Sequence, residues 1–231
     1  MSEVTGAVLL RCGKCLQDLR GLPDDTIFLC RNCGSAWTSG PKGLSAVGVT
    51  LYGEAGDGTV FLPFWRVEAD VTIGQRTTRR HETSTVATAP REFRSTAERG
   101  LRTEAGRRVL RSYIVPAVVN GRALSLGVAL RASRPDLMPY EGDPPVMVGG
   151  CVDAEDAAEL ARAIAVGEEV ARADFLASLD IDLEPMDTDL MGIACTAGEK
   201  GFEVPGTSVV LRYHDTEDYM GILESSGLGG N

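Results

Sequence analysis

The chain has 231 residues, with 33 acidic and 23 basic side chains, a formal charge of −10 and a pI near 4.8. Apolar residues at 43% and charged residues at 24% are the proportions of an ordinary folded protein, which excludes wholesale disorder, collagen and a disulfide-dense scaffold. No apolar run approaches the ~20 residues that a membrane-spanning helix needs.

Met1 to Arg11 contains Glu3 and only a short apolar run, Ala7 to Leu10, so it does not read as a secretory signal. Four of the six cysteines then fall in two tight pairs, Cys12 with Cys15 and Cys30 with Cys33, in the pattern C-x2-C-x14-C-x2-C. In a chain of this length the pattern points to metal binding in a reducing compartment, and the expected location is the cytoplasm. Each pair suits a knuckle, a tight turn that aims two sulfurs at one point. Leu16 to Leu29 has the length of a hairpin joining the knuckles, with Pro23-Asp24-Asp25 as its turn, and Gly34 follows the second pair where φ > 0 is often needed. Four thiolates suit one Zn²⁺ and close its coordination shell, so the expected role is structural and not catalytic. A zinc ribbon is therefore expected over residues 1–43, with Cys12, Cys15, Cys30 and Cys33 as the metal ligands.

After a break at Ser39 to Gly43, Leu44 to Tyr52 and Thr59 to Val67 read as two strands of a hairpin around Gly53 to Gly58. That glycine-rich turn lacks the Lys-Ser/Thr of a phosphate loop. Pro63, within Phe61-Leu62-Pro63-Phe64-Trp65-Arg66, cannot donate to a ladder and suggests an edge strand or a bulge. Tyr113 to Val119, with Pro116, repeats the apolar-Pro-apolar arrangement and reads as a neighbouring strand.

The order of these features, a CxxC ribbon, "LPFWR", a polar stretch, "VPA" and an acidic Ala-rich helix, resembles a group of bacterial zinc-ribbon proteins of unestablished activity. The first knuckle, Cys12-Gly13-Lys14-Cys15-Leu16, departs from the usual Cys-Pro-x-Cys-Gly of such ribbons. The resemblance implies a zinc ribbon and transfers no catalytic residue.

Charge divides the chain unevenly. Residues 66–134 hold 14 arginines and 6 acidic side chains, whereas residues 135–231 hold 4 basic and 21 acidic ones. The stretch from about 74 to 111 is rich in Arg, Thr and Glu and reads as a long arginine-rich loop, with a short helix possible from Phe93 to Leu110. Asp153 begins the clearest helix as its N-cap, and Ala157, Ala161, Ile164, Ala171, Phe175 and Leu179 continue at helical spacing to about Leu179. Asp180, Asp182, Glu184, Asp187 and Asp189 then read as a solvated turn. Leu190 to Ala197 and Thr207 to Tyr213 read as strands, and 226–231 as a loose tail.

The fold class expected is α+β: the ribbon, then over 44–225 a mainly antiparallel β domain with one long helix. His81 and His214 sit in no catalytic frame, Cys151 and Cys195 read as buried free thiols, and no nucleophile, Walker or HExxH motif is present, so an enzyme is not expected. The expected function is a non-catalytic protein-binding adaptor or accessory subunit, with a protein partner or an oligomer. The alternative is a nucleic-acid-binding ribbon, favoured by the arginines and opposed by the net charge.

Overall fold

The fold was obtained as a computed structural model that describes residues 9–56, 58–79, 101–118, 122–133, 135–143, 145–172 and 174–212. Three short strands, β1 (Ile27–Leu29), β2 (Ala36–Gly40) and β3 (Gly43–Val47), form an antiparallel sheet in that order. The last strand of this sheet ends at Val47. The expected hairpin within Leu16 to Leu29 is not the one formed. The strands flank the second knuckle, with Phe28 opposite Trp37, and Leu22 to Asp25 makes a tight turn in which the Asp25 N–H bonds the Leu22 carbonyl at 3.1 Å.

The main sheet is built on two very long strands, β5 (Thr59–Arg79) and β7 (Phe175–Ala197), paired antiparallel along their whole length. On the other side of β5 lies β6 (Leu101–Pro116), also antiparallel. The short strands β4 (Val49–Tyr52), β8 (Gly201–Glu203) and β9 (Val210–Arg212) complete it; β4 runs parallel to β7, β8 pairs with the end of β7, and β9 with β8. The sheet is mostly antiparallel, as the sequence indicates. β4 and β5 are nevertheless not a hairpin, because β7 lies between them.

Residues 74–79 and 101–111, expected in a loop, are paired strand; Arg76 lies opposite Glu104 and Arg108 opposite Thr72. The expected helix up to Leu110 is likewise strand from Leu101, and its earlier part lies outside the described residues. The physical reason is that β5 carries a register shift between Ile73 and Gln75. This moves the buried face from odd positions, Trp65 to Ile73, to Arg76, which breaks the apolar alternation that would mark a strand. Pro63 sits in a central strand, not an edge. Phe61 exchanges backbone bonds with Val146 and Val148, while the Pro63 carbonyl accepts from Ala117 at 3.0 Å. The missing N–H therefore falls where the neighbour of β5 changes.

Two helices are described, α1 (Ala123–Ser133) and α2 (Ala154–Val170), where the sequence indicates one. Asp153 caps α2 as expected, accepting from the Glu155 and Asp156 N–H groups at 2.9 Å. The helix ends at Val170 and not near Leu179; Phe175 to Leu179 belongs to β7 and pairs with residues 76–79 of β5. Ala157, Ala161, Ile164 and Ala165 of α2 pack on Trp65, Val67, Ala69, Val71 and Ile73 of β5. Ile27 and Ala36 of the ribbon belong to this same core, and Ile27 and Gly150 exchange backbone hydrogen bonds of 2.7 and 3.1 Å. Leu126 and Leu130 of α1 enter a second core with Phe64, Met191 and Phe202. No helix among the described residues is long and apolar enough to cross a membrane.

Candidate metal centre

Cys12, Cys15, Cys30 and Cys33 come together, with their four sulfurs all within 4.8 Å of one another, so that they can hold a metal ion. Cys12 Sγ lies 3.6 Å from Cys33 Sγ, and Cys15 Sγ 3.3 Å from Cys30 Sγ. Both knuckles use the same backbone device. The Leu16 N–H bonds the Cys12 carbonyl at 2.9 Å, and the Gly34 N–H bonds the Cys30 carbonyl at 2.8 Å. The residue after each pair takes a left-handed φ, 63° at Leu16 and 68° at Gly34. Gly34 was expected to need that freedom; Leu16 meets the same need without it.

The surroundings favour thiolates unequally. At Cys12 burial opposes ionisation, but hydrogen bonds from Ser35 Oγ and from the Cys15 and Lys14 N–H groups outweigh it and bring the thiol down to about 5. Ser35 also lowers Cys33, with its Oγ 3.1 Å from that sulfur. Burial pushes Cys30 up to about 12, with the Cys15 thiol adding to it. The surroundings of Cys12 and Cys33 thus favour the thiolate and those of Cys30 oppose it, and a bound cation favours the thiolate at every ligand. Trp37 Nε1 donates to Ser35 Oγ at 3.1 Å, and the Trp37 ring lies over Gly13, where a Cβ would meet it at 2.6 Å. Leu19, Phe28 and the cysteines form a small core of their own. The sequence offered no spacing signal for Ser35 or Trp37, because neither belongs to the ligand pattern.

The acidic run from Asp180 to Asp189 is not a turn but the middle of β7. Its carboxylates face away from α2, while Ile181, Leu183 and Leu190 pack in the core under it. Among the described residues these carboxylates gather no group of three close enough to hold an ion. Cys195 is buried, and burial pushes its thiol up to about 12, far from the reactivity of a nucleophile. Cys151 is half-buried. His81 and His214 lie outside the described residues, as do residues 80–100 and the tail at 226–231.

A second polar cluster had no signal in the sequence. Glu169 of α2 is 0% exposed and accepts from Arg76 Nε at 3.0 Å, Arg107 at 3.0 Å and Arg172 at 2.8 Å. Arg76 is itself 2% exposed and also pairs with Asp174. Residues 93 positions apart in sequence thus share one buried ion pair.

Comparison with family models, with curated proteins and with solved structures finds no match to this chain.

Proposed function

We propose that Cys12, Cys15, Cys30 and Cys33 bind one structural Zn²⁺ and that the protein is a non-catalytic, protein-binding accessory subunit. Tetrahedral Zn–S bonds of about 2.3 Å separate the sulfurs by about 3.8 Å, close to the separations found here. Four cysteines leave no open coordination position for substrate or water, so the metal holds the knuckles together and activates nothing.

The binding role rests on the two faces of the main sheet. One face carries α2. On the other, from Arg66 to Gln75 of β5, the register brings together Glu68, Asp70, Asp180, Asp182, Glu184, Asp187 and Asp189. Among the described residues only Arg66 and Arg108 answer them by ion pairing, with Asp189 and Asp70. Leu110 is 71% exposed on β6 opposite Asp70, and Met186 is 64% exposed at a bulge of β7. A broad, rigid acidic face with exposed apolar side chains at two points suits a basic protein surface and repels nucleic-acid phosphates.

The test is a charge reversal, Asp182→Lys with Glu184→Lys, compared with the unaltered protein in quantitative co-purification from native cells. A stoichiometric protein partner that the altered face loses, with the circular dichroism spectrum unchanged, is expected. Co-purification of nucleic acid, or a partner retained in full by the altered face, contradicts the reading.

A further inference from the structure

Five arginines converge at the C-terminal end of α2: Arg76 from β5, Arg107 and Arg111 from β6, Arg131 from α1, and Arg172 just beyond α2. Among the described residues the carboxylates they pair with are three, Glu168, Glu169 and Asp174. Within these ion pairs the positive charges exceed the negative ones by two. The carbonyls at the end of α2 supply roughly half a negative charge, which does not cancel the excess.

The five are not equivalent. Arg76, Arg111 and Arg131 are 2%, 8% and 19% exposed; the first two pair with the buried Glu169, and Arg131 pairs with Glu168, which is 28% exposed. Arg107 and Arg172 are 43% and 34% exposed. Each gives one Nη2 to the same oxygen, Glu169 Oε1, at 3.0 and 2.8 Å, so the two guanidinium groups stand side by side. Among the described residues they make no other hydrogen bond, which leaves their Nε and Nη1 donors available.

We propose that Arg107 and Arg172, positioned by Glu169, form a binding site for a dianionic phosphate group. The guanidinium fork matches two phosphate oxygens at a time, and two adjacent forks match a tetrahedral group. A phosphate monoester carries about −1.5 to −2 at neutral pH, which balances the excess, whereas a carboxylate leaves half of it. Glu169 fixes both side chains before the ligand arrives, so that little rotamer freedom is lost on binding. Glu169 is a positioning residue and touches no ligand.

The experiment titrates inorganic phosphate and phenyl phosphate separately into the full chain at constant ionic strength, with chloride as the control. The readouts are the arginine Nε–H resonances and the affinity. A saturable shift at Arg107 and Arg172 is expected with phosphate and not with chloride. Arg107→Gln with Arg172→Gln weakens binding by about tenfold or more, the effect of losing a charge-assisted hydrogen bond. Tighter binding of phenyl phosphate identifies a phosphoryl group on a larger ligand; equal or weaker binding identifies free phosphate. No saturable response to either, or affinity unchanged in the double variant, overturns the proposal. Should the double variant fail to fold, Arg172→Lys decides. It keeps the charge and one bond to Glu169 but removes the fork, so weakened affinity supports the site and unchanged affinity overturns it.

Discussion

Leu16 and Gly34 occupy the same position after the two cysteine pairs and hold nearly the same backbone angle, φ 63° and 68°, although one has a side chain that resists it. A left-handed conformation costs a non-glycine residue on the order of 1 kcal/mol. The Leu16 side chain is 70% exposed and returns little of this through burial. Leu16→Gly should therefore stabilise the ribbon by about 1 kcal/mol, and Gly34→Ala should destabilise it by a similar amount. Thermal unfolding followed through Trp37 measures both.

Glu169→Gln should be among the most damaging single changes in the chain. It leaves the buried guanidinium groups of Arg76 and Arg111 short of a charge, while their remaining partners, Asp174 and Glu168, sit nearer the surface. Breaking a buried ion pair from one side costs about 3 kcal/mol or more. Arg108→Ala, which removes an arginine 69% exposed, should cost less than about 1 kcal/mol. Urea denaturation of the two variants compares them directly.

Acid stability should depend on Asp174. The hydrogen bond from Arg76 holds this carboxyl below its ordinary value of 3.8. A lowered pKa contributes stability that is full above the ordinary value and is lost as pH falls through the lowered one. Denaturation midpoints measured down through pH 4 should thus fall less steeply in Asp174→Asn than in the unaltered chain. Equal slopes would contradict the pairing.

What the sequence revealed divides along physical lines. The cysteines were legible because ligand spacing is a local property, and Asp153 because a cap acts within one turn. Arg76 misled because its burial depends on Glu169, far away in sequence, so a core position looked like part of an exposed basic loop. Asp180 to Asp189 misled in the same way: its carboxylates belong to one face of β7 and its apolar residues to the other, and only register with β5 separates them. Helix α1 went unread in the sequence, and Gly127 within it lowers the local helix propensity. A Cβ there would collide with Ile164 of α2, so the glycine is a contact between helices and not a break.

The two tryptophans report on different regions. Trp37 bonds Ser35 beside the cysteines, whereas Trp65 donates to the Val152 carbonyl at 2.8 Å in the main core. A strong chelator should change the fluorescence of Trp37, followed in Trp65→Phe, before and more than that of Trp65, followed in Trp37→Phe. Simultaneous, equal changes would mean that the ribbon and the main sheet unfold as one unit.

The most direct test is metal analysis of the purified chain with X-ray absorption at the metal edge. The account predicts one zinc per chain in a shell of four sulfurs at about 2.3 Å, and in Cys12→Ser a weaker site with one sulfur fewer. Iron in place of zinc, less than one metal per chain under metal-replete conditions, or a shell containing nitrogen or open to water would contradict it.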